Sequence, residues 1–451
     1  MLQCGLPVSS IRRKGPIFPV NILAFGGAAL ILVWSLAWPD GIISNKNAFA
    51  RLAAAAIAAV FCYYAALFQR RGNNWLLAIF AALVVGAEIV LRIAGTLGDA
   101  APGQLDWRQP QPYFMFSGPE NGIVKMPTSM GSGDRTAVFN GNGFRIEKDI
   151  TIPKPANELR VFVLGGSTVL MGSPLSNTIP GVIETNLRAG GLDRARVYNF
   201  GVVSFVSAQE LSLLVHRLVA LEPDLVIAYD GGNDLYEPWF YDPRPGYPFN
   251  FFTWEAALAP IQRPSTRTLA DLAEDSALSR FLFDPKERQN RTTLRALRVK
   301  VGYRTARWKR NIVEAYTGNV VAMCRVSHAN GILFASFFQP TLHYSLNLDA
   351  HQKELAEGGG LNQDMGRQLT QGMLEERTGV LAAFENGIPP TEQDLGCRFN
   401  DLSGIFAQQG SEYYWDLIHV DNRGNRVIGS RIAKDLLAWE ALRSKVAARV
   451  H

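Results

Sequence analysis

The chain has 451 residues, of which 47% are hydrophobic and 19% are charged, and its formal net charge is +5. This length predicts two or three folding units. The positive charge is mild, and Lys and Arg form no dense stripe interleaved with aromatic residues, which excludes nucleic acid as an expected partner. No cluster of Cys, His, Asp or Glu has the spacing of a metal site, so we expect neither a metal nor another cofactor.

Three apolar runs open the chain, and we expect residues 1–95 to form a membrane anchor of about three transmembrane helices. The first run, 17–38, has 22 residues without a charge and is long enough to cross a bilayer core of about 30 Å. The second covers 52–68, and the third covers 75–91 and contains Glu88. A cleaved signal peptide remains an alternative for the first run, and a buried helical hairpin for the other two.

The charges of the short loops predict how this anchor is oriented, because positive loops stay in the cytoplasm. Residues 12–14 are Arg-Arg-Lys, and Arg70 and Arg71 separate the second and third runs, whereas Lys46 is the one basic residue of the loop 39–50. With three spans, the remainder of the chain faces the periplasm or the cell exterior. The expected location is therefore the inner (cytoplasmic) membrane, as a multi-pass protein whose partner is the lipid bilayer.

Two cysteines, Cys324 and Cys397, lie beyond the anchor. In an exported domain they can form a disulfide. Two separate buried thiols fit the sequence equally well.

Beyond the anchor, residues 96–158 are expected to form a linker and an irregular pre-domain, because Gly, Pro and polar residues are frequent and turn signals such as NGNG follow. The pattern changes at residue 159. Apolar, β-branched runs predict four buried strands, at 159–166, 196–201, 224–232 and 332–340.

Predicted helices separate these strands, which favours a parallel sheet flanked by helices on both faces within one domain, 159–451. A helical insertion at about 240–330 is larger than such a sheet needs, and we expect it to cover the site. Sites in these sheets lie at the carboxyl ends of the strands, where Ser167, Ser204 and Asn233 occur.

Ser167 lies in the sequence VLGGSTVLMG, directly after the first predicted strand. Two glycines before it allow a tight turn that exposes the hydroxyl, as a nucleophile requires. A phosphate-binding or plain turn serine would have the same pattern. The G-x-S-x-G elbow of α/β-hydrolases is not matched, because position 169 is Val.

Two further motifs supply the other groups that a serine hydrolase needs. Asn233, in YDGGNDL, follows the third predicted strand and can direct its amide N–H towards the same point. Asp416 and His419, in WDLIH, have a spacing that lets the carboxylate bind imidazole Nδ1 on a helical turn and leaves Nε2 for Ser167. Taken alone, this Asp-His pair also fits a surface ion pair.

In chain order, GGST, then N-x-G with VSFVS, then GGND, then D-x-x-H followed by GN resemble the SGNH (GDSL-type) hydrolase family over residues 159–435. The sequences NGNGFR (140–145) and FQP (338–340) are also similar to its exported, membrane-anchored bacterial members. The resemblance implies an α/β fold, a three-layer α/β/α sandwich with a flavodoxin-like parallel sheet of about five strands. It also implies an esterase, lipase, thioesterase, carbohydrate O-acetyl esterase or acyl-transferring enzyme.

The resemblance assigns Ser167 as nucleophile, His419 as base with Asp416 as its partner, and Asn233 as an oxyanion donor. The family's oxyanion glycine falls on Ser204 by counting from Asn199, and Gly201 is the alternative. The role needs only a backbone N–H, although a serine there lacks the conformational freedom of glycine. The first motif reads GGS instead of GDS, which removes a carboxylate but none of the catalytic groups.

These patterns predict a membrane-anchored serine ester hydrolase of the SGNH type. Its location suggests an acylated carbohydrate of the envelope or an exported glycan as substrate, and a small ester is the alternative. An O-acyltransferase that uses the same serine is one alternative. A catalytically silent envelope scaffold is another.

Overall fold

The computed structural model describes Gly86, Ile89 and residues 108–125, 136–147, 149–258, 285–345, 348–356, 363–387, 395–407 and 412–448. The three apolar runs expected to cross the membrane lie outside these residues, apart from Gly86 and Ile89. Within the described part, no helix has both the length and the apolarity to span a bilayer.

The chain divides into two compact units. The first comprises Met1–Pro102 and Pro264–Gln289, and the second comprises Gly103–Arg263 and Asn290–His451. All the elements discussed below as parts of the site belong to the second unit.

Two short antiparallel ribbons precede the main sheet, in the segment expected to be irregular. Strands β1 (Gln109–Gln111) and β2 (Met115–Ser117) pair with each other, as do β3 (Ile123–Lys125) and β4 (Thr136–Val138). Strands of three residues are too short to leave a recognisable alternation of apolar and polar residues. The Phe116 side chain on β2 is fully buried and belongs to the same core as Phe162 of the main sheet.

Five parallel strands form the main sheet in the order β6-β5-β7-β8-β9. Four of them match the predicted runs: β5 (Leu159–Gly165), β6 (Ala195–Gly201), β7 (Leu225–Asp230) and β8 (Leu333–Phe338). The fifth, β9 (Cys397–Asp401), lies at the edge and has three partly exposed residues, so its sequence CRFND lacks the apolar run of a central strand.

The helices that the structure describes in and around this unit begin after β5. They are α1 (Ser167–Leu170), α2 (Ile179–Ala189), α3 (Ser207–Leu213), α4 (Gly232–Phe240), α5 (Phe251–Leu258), α6 (Pro285–Val301), α7 (Ala306–Ala329), α8 (Ala350–Ala356), α9 (Gln363–Gly387), α10 (Asn422–Leu437) and α11 (Glu440–Ala447).

The helical insertion predicted at about 240–330 contains separate helices, with a break between α6 and α7. Gly302 and Arg304 both adopt positive φ there, and the Thr305 side chain then accepts a hydrogen bond from Trp308 N and caps α7. This cap begins a new helix, because a Thr side chain satisfies backbone N–H groups that a continuous helix would use internally.

The strands alternate their side chains between two apolar cores, one on each face of the sheet. Phe162 and Leu164 of β5 belong to the core that contains residues of α3, α4 and α7. Val161 and Val163 face the opposite way, into the core that contains residues of α2 and α10. Helices therefore cover both faces. Burial of each such side chain contributes about 1.5–3 kcal/mol.

A disulfide joins Cys324 in α7 to Cys397, the first residue of β9. The sequence left open whether these cysteines form a disulfide or remain two separate thiols, and the structure contains the disulfide. This bond connects one helical layer to the edge of the sheet.

The strand order places the carboxyl ends of β5, β6 and β7 side by side. The chain moves from β5 outward to β6 and then returns to the other side of β5 with β7, which makes this edge a topological switch point. Ligands of open α/β sheets bind at such points. Ser167, Ser204 and Asn233 follow these three strands.

Candidate active site

The nucleophile position is set by two glycines where β5 ends and α1 begins. Gly165 has φ +156°, and a Cβ there would collide with the carbonyl oxygen of Tyr229 on the neighbouring strand. Gly166 is the N-cap of α1, and Ser167 is its first residue, 7% exposed. The chain therefore turns sharply from strand to helix, and Ser167 lies at the carboxyl edge of the sheet.

Two side chains from other elements hold the far end of α1. Asn199 Nδ2 on β6 donates to the carbonyl of Val169 at 2.9 Å. Arg145 Nη1 donates to the carbonyls of Leu170 and Gly172, both at 2.7 Å. A four-residue helix leaves its carbonyl groups without internal partners, and these donors supply them.

Arg145 is buried, and burial lowers its pKa to about 10. It is the last residue of NGNGFR, a motif that the sequence analysis identified without giving any residue in it a role. Its contacts show that it supports the nucleophile helix.

The structure brings the three predicted triad residues together. Ser167 Oγ lies 2.7 Å from His419 Nε2, and His419 Nδ1 lies 2.7 Å from Asp416 Oδ2. With the proton assigned to Nδ1, the imidazole donates to the carboxylate and accepts from the serine hydroxyl at Nε2. This chain of two hydrogen bonds is the arrangement in which histidine removes the proton of a serine nucleophile.

The segment with Asp416 and His419 is not the helical turn that the sequence predicted. Asp416 Oδ1 accepts hydrogen bonds from the backbone N–H groups of Ile418 at 2.8 Å and His419 at 2.7 Å. A short antiparallel bridge between Tyr414 and Val420 closes the loop. An aspartate that binds backbone N–H groups two and three residues on favours a turn over a helix.

The surroundings of Asp416 keep it ionised. Burial by itself raises the pKa of this carboxyl, but the hydrogen bond and charge of His419, with the two backbone N–H donors, bring the pKa below its usual value. The ring of Trp415 stacks on His419, with centroids 4.9 Å apart and planes inclined by 15°. These contacts fix the orientation of the imidazole.

Asn233 lies against the nucleophile turn. It is the second residue of α4, whose N-cap is Gly231, and its Nδ2 donates to the carbonyl of Phe205 at 2.8 Å. A Cβ at Gly166 would collide with the same Nδ2. An amide nitrogen carries two hydrogens, so Asn233 has a second one to donate to a ligand beside Ser167.

The structure distinguishes the two residues considered for the backbone oxyanion donor. Gly201 N donates to Asn199 Oδ1 at 2.9 Å, and a Cβ on Gly201 would collide with the backbone of α1. Gly201 is therefore a packing residue beneath the nucleophile helix, and its engaged N–H is not available to an oxyanion. Ser204 lies in the turn after β6. The following residue, Phe205, accepts the hydrogen bond from Asn233, so this turn lies beside Asn233.

Gln339 connects the nucleophile helix with the helix that bears Asn233. Its Oε1 accepts a hydrogen bond from Thr168 Oγ1 at 3.2 Å, and its Nε2 lies where a Cβ on Gly232 would be. Gln339 is the middle residue of the FQP sequence at the end of β8. Its position explains how this strand contributes to the site without supplying a triad residue.

Four carboxyl groups are buried behind Ser204 and Asn233, on α3, β7 and α4. They belong to Glu210, Asp230, Asp234 and Glu237. Burial raises the pKa of Asp230 to about 6 and that of Asp234 to about 7, and it raises the pKa values of both glutamates. Burial disfavours the charged form of each carboxyl, so these groups keep their protons to a higher pH than exposed acids do.

Sequence patterns gave no reason to select these acids, except that Asp234 follows Asn233. Asp234 accepts from Ser207 Oγ at 2.5 Å, and Asp230 accepts from Tyr316 OH at 2.7 Å. In the part of the chain that the structure describes, no group of three or more His, Cys, Asp or Glu is arranged to hold a metal ion.

Comparisons with known proteins were made with protein families, curated proteins and solved structures. No family model matches the chain. No curated protein matches it either. A GDSL-like lipase from Bacteroides thetaiotaomicron VPI-5482 is 12% identical, with 63% of this chain and 91% of that chain covered and a TM-score of 0.30. An acetylxylan esterase from Geobacillus stearothermophilus is 12% identical, with 63% and 96% covered and a TM-score of 0.34.

Proposed function

We propose that the protein is a serine ester hydrolase of the SGNH type. The observation that carries the proposal is the continuous hydrogen-bond chain from Ser167 Oγ through His419 to Asp416, with 2.7 Å at each step. Asn233 beside Ser167 adds an amide donor at the place where an acyl oxygen would acquire charge.

In the first half of the reaction, Ser167 Oγ attacks the acyl carbonyl carbon while His419 Nε2 takes the serine proton. The carbonyl oxygen becomes an oxyanion, which accepts hydrogen bonds from Asn233 Nδ2 and the backbone N–H of Ser204. The bond to the alcohol then breaks, and His419 returns the proton to the leaving oxygen. Asp416 stabilises the imidazolium that exists between these proton transfers.

In the second half, water replaces the alcohol. His419 removes a proton from this water, which attacks the acyl-serine carbonyl. The second oxyanion collapses with release of the carboxylic acid, and His419 returns its proton to Ser167 Oγ. Each group thus ends in the state in which it began.

We further propose that the enzyme acts outside the cytoplasm, anchored by residues 1–95, on an acylated carbohydrate of the envelope or an exported glycan. The disulfide Cys324–Cys397 supports an oxidising compartment, because such bonds form and persist there. The distribution of positive charge among the short N-terminal loops supports the same orientation.

Ser167→Ala tests the reaction. The substitution should reduce hydrolysis of p-nitrophenyl acetate and of acetylated oligosaccharides by several orders of magnitude and abolish labelling by a fluorophosphonate. Ser176→Ala is the matched control, because Ser176 is exposed and nine residues away, and it should retain full activity. Labelling at another serine, or an active Ser167→Ala protein, would refute the assignment.

Alkaline phosphatase fusions test the location. A fusion after Asp99 should be active and one after Asn73 should be silent, because three spans export the chain beyond residue 95 and return the second loop to the cytoplasm. The reverse pattern would place the catalytic domain in the cytoplasm. It would remove the exported-glycan substrate while leaving the ester hydrolase unaffected.

A further inference from the structure

The turn that carries the Ser204 N–H has a backbone conformation that usually belongs to glycine. Phe205 N donates to the carbonyl of Val202 at 3.2 Å and closes the turn, and Ser204, its third residue, has φ +61°. A positive φ at this position is typical of type II turns, where glycine is preferred because it lacks a Cβ. Contacts of the Ser204 side chain must therefore favour this conformation.

The first contact comes from the segment before β1. Arg108 Nη2 donates to Ser204 Oγ at 2.7 Å, across 96 positions of sequence. The guanidinium lies 4.2 Å from the ring centroid of Phe249 and 5.7 Å from that of Phe116. These aromatic contacts restrict the guanidinium, so the donor is held at one place above the turn.

The second contact comes from α4. Burial raises the pKa of Glu237, which is 4% exposed, and the charge of Arg108 and the Ser204 hydroxyl both act on this carboxyl to lower its pKa. Arg108 can only donate, so the hydroxyl oxygen of Ser204 accepts from it and its hydrogen is available to Glu237. The side chain is thereby held on two sides.

Glu237 lies four residues after Asn233 on α4, which places both side chains on one face of that helix. Asn233 Nδ2 in turn donates to the carbonyl of Phe205, the residue after Ser204. The turn and the helix are therefore connected at two adjacent points. The two oxyanion donors cannot move independently.

We propose that Arg108 and Glu237 are positioning residues that hold the Ser204 hydroxyl and thereby direct the Ser204 N–H at the oxyanion. The proposal rests on the proposed ester hydrolysis. It explains how a serine occupies this position: its side chain supplies contacts that hold the left-handed backbone, whereas a glycine could adopt this conformation but would not be held in it. It also gives a segment outside the sheet a defined part in transition-state stabilisation.

A double-mutant cycle on the full chain tests this proposal. Arg108→Gln should lower kcat about tenfold with little change in KM. The substitution displaces the Ser204 N–H, which stabilises the charge that develops in the transition state and does not contribute to binding of the ground state. Ser204→Gly should lower kcat by a similar factor, since it removes the hydroxyl and frees the backbone. The double variant should be no slower than Ser204→Gly alone, because Arg108 acts through the hydroxyl.

Three further variants exclude a general structural effect. Arg108→Lys keeps a cationic donor and should recover part of kcat, whereas Arg217→Gln alters an exposed arginine and should change nothing. Glu237→Gln, which keeps the volume of the side chain, should also lose its effect on kcat in the Ser204→Gly background. If Arg108→Gln does not fold, Glu237→Gln on α4 provides the same test.

Equal losses of kcat from Arg108→Gln in the wild-type and Ser204→Gly backgrounds would overturn the proposal, as would an unchanged kcat in the wild type. Fluorophosphonate labelling of Ser167 in the unsubstituted protein separates this failure from failure of the proposed function. A protein that labels and hydrolyses esters but shows no coupling would lack the positioning device and remain a hydrolase.

Discussion

Asn233 packs directly against Gly166, and its amide nitrogen occupies the space that a Cβ at position 166 would need. Gly166 has φ −81° and ψ −154°, so its backbone does not require glycine. What requires glycine is the approach of Asn233 to the residue before the nucleophile. The absence of a side chain at this position therefore determines where the Asn233 amide lies.

Gly166→Ala should consequently impair catalysis without preventing folding. The added methyl group displaces Asn233 Nδ2 by a fraction of an ångström or more, and an oxyanion donor removed from its position costs about 10²–10³ in kcat. Steady-state kinetics on p-nitrophenyl acetate measures this, with circular dichroism as the check on folding. A fully active Gly166→Ala protein would show that Asn233 does not act at this position.

Asn233→Ala should lower kcat by about 10²–10³ with a smaller change in KM, because the amide acts on charge that develops in the transition state. Asn319→Ala is a suitable comparison, since Asn319 contacts Ser207 and not the nucleophile turn. If kcat is unchanged in Asn233→Ala, the amide has a structural role through Phe205 alone.

Arg145→Met should destabilise the protein and slow catalysis together. It removes the donor to two buried carbonyl groups, and an unsatisfied buried acceptor costs about 1–3 kcal/mol. We expect the free energy of unfolding to fall by about 2–4 kcal/mol in urea titrations. Arg194→Met, on an exposed arginine, should leave stability unchanged; an equal loss in both variants would show that the carbonyl contacts of Arg145 are unimportant.

The buried acids predict a loss of stability as pH rises. The folded-state pKa values of Asp230, about 6, and Asp234, about 7, lie above the ordinary value of 3.8, so folding favours their protonated forms. Their contribution is complete below pH 4 and is lost as pH rises through 6 and 7. The free energy of unfolding should fall by about 2–4 kcal/mol between pH 5 and pH 8.

Asp234→Asn provides the control for this effect. The amide oxygen can still accept from Ser207, but the side chain no longer titrates, so the decline between pH 5 and pH 8 should become shallower. Urea unfolding at both pH values measures the difference. An identical slope in the two proteins would mean that Asp234 is already ionised in the folded state.

The sequence predicted β5, β7 and β8 well because these inner strands are buried. Their apolar runs, and a shorter one for the edge strand β6, indicated these four strands to within two residues at every end. The edge strand β9 was missed because its exposure permits polar residues. The motifs also identified Ser167, Asn233, Asp416 and His419, which the structure brings together, but the Asp416–His419 spacing suggested a helical turn where the aspartate side chain instead stabilises a bend.

The supporting residues could not be predicted in the same way. Arg108 contacts Ser204 across 96 positions, and Arg145 reaches Leu170 across 25. No local periodicity encodes such contacts, since they depend on how the segment before β5 packs on the sheet. Arginines in a segment rich in turn signals are ordinarily surface residues, and only the three-dimensional structure distinguishes these two.

The disulfide between α7 and β9 also bears on how firmly Asp416 and His419 are held beside Ser167. It closes a ring between residues 73 positions apart, which in the chain-entropy view disfavours the unfolded chain by about 4 kcal/mol. One end of this ring is the start of β9, an edge strand with a neighbour on a single side, and the chain leaving β9 leads to Asp416 and His419. Separation of β9 from β8 would loosen the start of the segment that carries Asp416 and His419. A thiol reductant is therefore expected to lower the activity without touching any group that performs the chemistry.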